Sequence, residues 1–138
     1  MKVAFATDDG NRVNAHFGQS PMFAVYNVTK NGGELLELRK LPVVLNQDEA
    51  GKIDSRLAAV EDCTLIFIMQ IGASAAARVT RRKIMPVKVP FGSPIDEQVK
   101  RLVEMLQGKP PMWLAKVLRA EEEEEGTGEG EEANGTVG

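Results

Sequence analysis

The first forty residues alternate apolar and polar positions in the manner of extended strands. Segments 2–7 and 22–29 are rich in β-branched and aromatic residues, and segment 34–41 carries four leucines, among them Leu35, Leu36 and Leu38. The Asn-Gly-Gly tripeptide at 31–33 is a strong turn signal, because these residues tolerate positive φ. We therefore predict three strands, of which the second and third form a hairpin.

The apolar period changes at residue 48. Ile53, Leu57 and Val60 recur at helical intervals after Asp48, a suitable N-cap. The apolar run 64–69 predicts a strand that is covered on both faces. The later elements follow in chain order: a helix at 72–82, a strand at 85–89, a helix that starts at Pro94 with Ser93 as its cap and ends at Gly108, and a short helix at 112–118.

The predicted order βββ-α-β-α-β-α fixes the fold class. An antiparallel meander followed by βα units implies a mixed five-stranded sheet with helices on its faces. The length of 138 residues suits one α/β domain.

Charge is distributed unevenly along the chain. Residues 119–138 contain eight Glu and one Arg, a net charge of -7, whereas the other 118 residues carry +4 within a total of -3. A segment of Glu and Gly with few apolar residues cannot offset its ordering entropy. We predict a core domain at 1–118 and a disordered acidic tail at 119–138. The basic core suits an anionic ligand, although a solvated basic surface is the commoner cause of such a balance.

Several classes of protein fit this sequence poorly. No apolar run is long enough to span a bilayer, and the apolar start at 3–6 is too short for a signal peptide. A single cysteine, Cys63, cannot form an internal disulfide. These features favour a cytoplasmic protein. Nucleic acid is an unattractive ligand, because none of the seven aromatic residues interleaves with the basic cluster.

The loop at 8–21 is long for a compact domain and holds the only histidine, His16. A neutral imidazole can bind a transition metal through one ring nitrogen. The triplet His16-Phe17-Gly18 and the nearby Asn14 are therefore candidate ligand contacts. The alternative is that His16 is a polar loop residue that fixes the turn.

Cys63 opens the predicted central strand. Its thiolate would be a soft ligand for iron, but one cysteine cannot assemble an iron–sulfur cluster, which usually takes four. Cys63 could at most be one ligand to a preformed cluster. The alternative is a small buried apolar side chain.

Two further features could attract an anion. The strand-to-helix junction Gly72-Ala73-Ser74 has small residues and backbone N–H groups at a helix start, although no P-loop pattern is present. A packed helix start without a ligand is the alternative. The main basic cluster could surround an anionic metal cluster or simply solvate a helix end; it consists of Arg78, Arg81, Arg82, Lys83 and Lys88.

Catalysis finds little support in the residue inventory. The sequence contains no Gly-x-Ser-x-Gly motif whose serine His16 could activate. Asp8 and Asp9 lie at one strand end, whereas the central strand has no acid to complete a two-metal site.

These stretches together resemble the NifX and NafY group of the dinitrogenase iron–molybdenum cofactor biosynthesis family, over about residues 1–118. The last of four matching blocks favours the NifX branch. The blocks are Met1-Lys2-Val3-Ala4-Phe5-Ala6 with Asp9-Gly10, Val13-Asn14-x-His16-Phe17-Gly18, Ile71-Gly72-x-x-Ala75-Ala76-Ala77-Arg78, and Pro110-Pro111-x-Trp113-Leu114.

The resemblance implies a ribonuclease H-like fold and a carrier that binds the iron–sulfur precursor of the nitrogenase cofactor without catalysing its chemistry. It implies passage of this cargo to the NifEN scaffold, with NifB as a further candidate partner. The alternatives are a chaperone-like interaction protein for an apo nitrogenase component and a nuclease-type enzyme. The predicted cargo contacts are Asn14, His16, Phe17, Gly18, Gly72, Ala73, Ser74, Arg78 and Arg81, with His16 and Cys63 as metal ligands.

Overall fold

A computed structural model describes residues 1–42 and 47–121. An antiparallel start is followed by alternating helices and strands. In chain order the elements are β1 (Lys2–Thr7), β2 (Arg12–Val13), a 3-10 turn (Phe17–Gln19), β3 (Met22–Thr29), β4 (Gly32–Lys40), α1 (Glu49–Val60), β5 (Leu65–Ile68), α2 (Ala73–Arg81), β6 (Met85–Lys88), β7 (Ser93–Pro94), α3 (Ile95–Gln107) and α4 (residues 112–121).

Five strands form the main sheet, in the spatial order β4-β3-β1-β5-β6. β1, β3 and β4 pair antiparallel, whereas β5 and β6 run parallel to β1. This confirms the predicted mixed five-stranded sheet and its hairpin. A second sheet pairs β2 with β7 and was not predicted, because strands of two residues leave no period to detect.

Apolar clusters cover both faces of the main sheet. α1 and α2 pack on one face, through residues such as Leu57 and Val79. α3 and α4 pack on the other, where Val99 is among the buried side chains and Phe5 stacks on Phe67 with ring centroids 4.8 Å apart. Each such aromatic side chain contributes on the order of 2–3 kcal/mol when it is fully buried. The domain therefore has three layers, with the sheet between two layers of helices.

The helix starts agree with the sequence in one case and differ in another. Asp48 caps α1 as predicted, accepting a hydrogen bond from the Gly51 N–H at 2.8 Å. The predicted cap of α3 is wrong: Pro94 occupies the N-cap, and the Ser93 hydroxyl donates to the Pro90 carbonyl at 2.6 Å. Ser93 cannot cap the helix because it pairs with Val13 in the small sheet.

The final helix runs further than the predicted 112–118. It includes residues 119–121, and the Thr64 hydroxyl donates to the Glu121 carboxylate at 2.8 Å. The rest of the predicted acidic tail, 122–138, lies outside the described residues. None of the helices in residues 1–42 and 47–121 is both long and apolar enough to cross a membrane.

Candidate functional site

His16 lies at the end of the sheet where the parallel strands β1, β5 and β6 finish. Its backbone forms a parallel bridge with Gln70, just beyond β5. On either side of it, the Met69 N–H donates to the Ala15 carbonyl at 3.2 Å and the Phe17 N–H donates to the Gln70 carbonyl at 2.9 Å. Ligands commonly bind at this end of parallel strands. We call this region, defined by His16, Gln70 and Gly72, the His16 edge.

The residues directly before and after His16 are buried and fix its position in the loop. Phe17 is fully buried and packs beside Phe23, with ring centroids 5.9 Å apart, and Ala15 is buried in the same core cluster. The His16 side chain itself is exposed. Phe17 is among the predicted cargo contacts, but its ring is buried and anchors the loop. Gly18 follows it in the 3-10 turn, at half-buried backbone.

The polar residues before His16 are used to close the loop. The Asn14 amide donates to the Asp8 carboxylate at 2.7 Å, and its oxygen accepts from the Asp8 N–H at 2.9 Å. The Asp9 carboxylate accepts from the N–H groups of Asn11 and Arg12, which hold its pKa below the usual value. Asn14, predicted as a cargo contact, therefore spends its side chain on positioning the loop, and Asp9 does the same.

The start of α2 lies two residues beyond Gln70. Gly72 is its N-cap, and within the described residues no side chain caps this end. Gly72, Ala73 and Ser74 are all exposed, and a Cβ placed on Gly72 would meet nothing within 4 Å. The first N–H groups of a helix have no partner inside it, and its N-terminus carries partial positive charge. The structure thus brings a histidine and a potential anion cradle to one edge.

Most of the basic cluster lies away from this edge, apart from Lys88, which ends β6 opposite Ile68. Arg78 forms an ion pair with Asp54 of α1. Arg81 is exposed in the last turn of α2, and the nine residues of that helix span about 13 Å. Arg82, just past the helix, pairs with Glu61 at 3.7 Å. The predicted grouping of Arg78 and Arg81 with His16 is therefore not what the fold produces.

Cys63 lies at the opposite end of β5 from His16. Six residues lie between it and Gln70, four of them in β5, so the chain between the two spans at most roughly 23 Å at 3.3 Å per residue. Its side chain is 5% exposed, and burial raises the pKa of its thiol to about 12. The predicted pair of metal ligands, His16 and Cys63, cannot contact one cluster, because the central strand separates them.

The analysis of the sequence missed an aromatic residue near the His16 edge. The Val89 N–H donates to the Ile68 carbonyl at 2.9 Å, and the Gly92 N–H donates to the Val13 carbonyl at 2.8 Å. Phe91 lies between these two fixed points and is 70% exposed. The only signal in the sequence is the Pro-Phe-Gly run, which predicts a turn but not its position.

The ligand inventory limits what this edge can do. Within residues 1–42 and 47–121 there is no group of three or more His, Cys, Asp or Glu side chains arranged to hold a metal ion. The His16 edge therefore offers one imidazole, the backbone N–H groups at the start of α2, and half-buried Met69 beside them. These few groups suit a preformed ligand, which does not need several protein side chains to assemble it.

Residues 1–105 of the chain match the family described as dinitrogenase iron-molybdenum cofactor. NifY of Klebsiella pneumoniae is 42% identical over 118 residues, which are 86% of this chain and 51% of that protein. NifX of Herbaspirillum seropedicae is 36% identical over 124 residues, which are 89% of this chain and 85% of that protein. The chain therefore spans about half the length of the NifY relative and most of the NifX relative.

Solved structures show a similar fold. The crystal structure of PH0822 superposes with a TM-score of 0.58 at 18% sequence identity, over 75% of this chain and 90% of that one. At this level of identity the likeness concerns the arrangement of strands and helices alone.

Proposed function

Since this chain belongs to the dinitrogenase iron–molybdenum cofactor family, we propose that it is a non-catalytic carrier and storage protein for an iron–sulfur precursor of that cofactor. In this proposal the cargo passes to the NifEN scaffold, and NifB is a further candidate partner. The family match and the NifX and NifY relatives support a role in cofactor biosynthesis, of which the carrier function is a finer version.

The observation that carries the proposal is the backbone bridge between His16 and Gln70. Through it the only histidine, exposed to solvent, neighbours the uncapped start of α2. An imidazole nitrogen ligates iron, and helix-start N–H groups attract an anion. One replaceable side-chain ligand supported by backbone donors suits a preformed cluster that must later be released.

A catalytic role for His16 fits the geometry less well. A histidine that activates a nucleophile needs a side chain within hydrogen-bond reach. In the described part of the chain the His16 ring makes no hydrogen bond to another side chain, and the Asp9 carboxylate, in the same loop, accepts from backbone N–H groups. A role as a ligand needs neither partner.

The fold is, in our proposal, ribonuclease H-like. An antiparallel meander of β1, β3 and β4, followed by β5 and β6 parallel to β1, supports this assignment.

An anaerobic binding experiment tests the carrier function. The full chain is mixed with the isolated precursor cluster and passed through gel filtration, and iron is measured in the protein peak. We expect iron to elute with the wild-type chain and to leave that peak when NifEN is added. His16→Ala should retain several-fold less iron while keeping its circular dichroism spectrum, because an exposed loop side chain contributes little to the core.

Gln19→Ala is the matched control, since Gln19 is an exposed residue of the same loop. It should retain iron like the wild type. A wild-type chain that elutes without iron would reject the carrier function and favour the chaperone-like alternative. A folded His16→Ala variant with wild-type iron content would reject the assignment of His16.

A further inference from the structure

β4 is the outermost strand of the main sheet on one side, and it is the longest, with nine residues. Only β3 pairs with it among the described strands. Three of its leucines are exposed: Leu35 to 49%, Leu36 to 41% and Leu38 to 42%. A long apolar edge strand presents unpaired backbone groups and is a template for pairing with another strand.

A bulge in β4 brings Leu35 and Leu38 onto one face of the sheet. Leu35 lies opposite Tyr26 and Glu37 lies opposite Val25, so Leu36 is an extra residue in β4. Tyr26 faces the α3 side of the sheet and Val25 faces the α1 and α2 side. Leu35 therefore shares the α3 face, and Leu36 is the extra residue between it and Glu37.

Leu38 completes the surface. It lies opposite Ala24, which also faces α3. Strict alternation along β4 would have put Leu35 on the opposite face from Leu36 and Leu38. The bulge instead places Leu35 and Leu38 together on the α3 side, with the exposed Leu36 between them in the strand.

α3 covers only one end of this surface. It touches β4 at Gly33, where a Cβ would lie 2.2 Å from a Val99 methyl group. Towards the other end, a groove of about 610 Å³ opens between the first turn of α3 and the loop at Gly10, with Tyr26 and Ile95 in its lining. The Leu38 side chain borders that loop, 3.7 Å from a Cβ built on Gly10.

We propose that β4 pairs antiparallel with β4 of a second copy of this chain, with Leu38 opposite its own counterpart on the two-fold axis. A symmetric antiparallel pair must place one residue opposite itself. In this register Glu37 faces the partner's Arg39, and Leu36 faces the partner's Lys40. The paired segment is 36–40, from the extra residue of the bulge to the end of the strand.

Charge selects this register over its neighbours. Moving the axis from Leu38 to Glu37 would set two Glu37 carboxylates against each other, and moving it to Leu36 would set Leu35 against Glu37. With the axis at Leu38, Glu37 and Arg39 of one chain each face the opposite charge on the partner, beside the ion pair of 3.1 Å that they form within the chain. Charges and bulges often keep an edge strand single, but the alternating acid and base of β4 attract an antiparallel copy of themselves.

Sedimentation velocity of the full chain over a range of concentrations tests the pairing. We expect the mass to rise from 15.0 kDa towards twice that value as concentration increases. Leu38→Glu should remain at the monomer mass at every concentration, because it opposes two carboxylates on the axis. Glu37→Arg should raise the dissociation constant several-fold, since it faces the partner's Arg39.

Met112→Glu is the matched control, because Met112 is an apolar residue of α4 with 84% exposure. It should dimerise like the wild type. A wild-type chain that stays monomeric at all concentrations would overturn the proposal and leave the edge to a strand from another protein. A dimer that survives Leu38→Glu, or that Met112→Glu also abolishes, would overturn it equally. Circular dichroism of each variant verifies that it is folded.

Discussion

Cys63 and His16, the two predicted metal ligands, are separated by the length of the buried strand β5. Its thiol is enclosed at the amino end of β5, whereas His16 lies beyond the carboxyl end. A raised thiol pKa lowers the fraction of nucleophilic thiolate near neutral pH. Cys63 therefore behaves as a buried apolar side chain in the folded protein.

We predict that Cys63 is slow to alkylate. With a pKa of about 12, roughly one thiol in ten thousand is ionised at pH 8, compared with about a quarter for an ordinary cysteine. Iodoacetamide should react more than tenfold more slowly with the native chain than with the chain in denaturant. The native rate should still rise above pH 9, where the denatured control levels off.

The Cys63→Ala variant provides the functional check. It should retain iron like the wild type in the anaerobic binding experiment. Rapid alkylation of the native protein, or loss of iron in this variant, would contradict the buried, non-ligand role.

The Asp62 carboxylate accepts hydrogen bonds from two basic side chains on different strands. Arg39 donates two hydrogen bonds to it, at 2.6 and 2.8 Å, and Lys2 donates one at 3.0 Å. These contacts join β4 and β1 to the turn before β5. The hydrogen bonds from Arg39 hold the pKa of Asp62 well below its usual value.

The sign of this pKa shift gives a prediction about pH. A carboxylate with a depressed pKa in the folded state stabilises the fold above its unfolded pKa, near 4, and the stabilisation is lost as pH falls through the lower folded value. Asp62→Asn should lower the free energy of unfolding at pH 7 by about 1 kcal/mol, a modest value because the pair is partly exposed.

Chemical denaturation at several pH values measures the effect. The gap between wild type and Asp62→Asn should be constant from pH 5 to 8 and should narrow below about pH 4. A gap that widens in acid would show that the Asp62 contacts are not the cause.

At the scale of elements, the contact between α3 and the β3–β4 hairpin depends on the absence of a side chain at Gly33. A Cβ there would approach a Val99 methyl group to 2.2 Å, and Val99 is buried and stiff at χ1. Gly33→Ala should therefore destabilise the fold by about 1–3 kcal/mol through overpacking.

A double variant isolates the cause of that loss. In the double variant Gly33→Ala/Val99→Ala, the space vacated by the valine accepts the new methyl group. Val99→Ala should therefore lower the free energy of unfolding by less in the Gly33→Ala background than in the wild type. Thermal denaturation of the four proteins gives this interaction energy. Additive losses would place the effect of Gly33→Ala in the backbone of the hairpin instead.

The elements that the sequence predicts are those with several repeats of a period. β1 and β3 match their predicted ranges, and α1 begins directly after its predicted cap, Asp48. β2 and β7 escape prediction because they have two residues each. The bulge at Leu36 escapes it too, because a bulge is defined by the register with β3 and not by β4 alone.

The site follows the same logic. The chemistry of His16 and Gly72 is enough to make them candidates. Their proximity depends on the backbone bridge between His16 and Gln70, which no local sequence pattern predicts. Phe17 and Asn14 were selected from the same motif, but core packing and a loop hydrogen bond decide what their side chains do. Residue types indicate which side chains could bind a ligand. The direction in which each side chain points and the distances between them depend on the tertiary contacts.

Over the whole molecule, charge is divided between the ends of the parallel strands. The start of α2 and His16 lie at the carboxyl end, whereas Arg81, Arg82 and Lys83 lie at the other end of α2. Local attraction at this end of the sheet can therefore come from the helix start and from Lys88, the exposed last residue of β6. Side-chain charge acts on an approaching ligand mainly as a long-range field that salt screens.

Removing residues 122–138 should leave thermal stability unchanged, since this segment is almost devoid of apolar residues that could pack on the core. Ending the chain after Ala120 is the sharper comparison, because it also removes the Glu121 carboxylate that accepts from Thr64 at 2.8 Å. That shorter chain should lose about 0.5–1 kcal/mol of unfolding free energy. A lower melting temperature already in the chain ending at Glu121 would show that the segment contributes to the fold.

The same truncation after Glu121 tests the long-range field in the proposed carrier. It deletes seven Glu and changes the net charge from -3 to +4. If the cargo is anionic, as we expect, it should be captured faster by the truncated chain at low salt. The advantage should shrink above 0.1 M salt, where charges are screened over about 10 Å. Rates of iron uptake by both chains at low and high salt measure this. Equal rates at low salt would mean that capture depends on the His16 edge alone and that the acidic segment has no part in it.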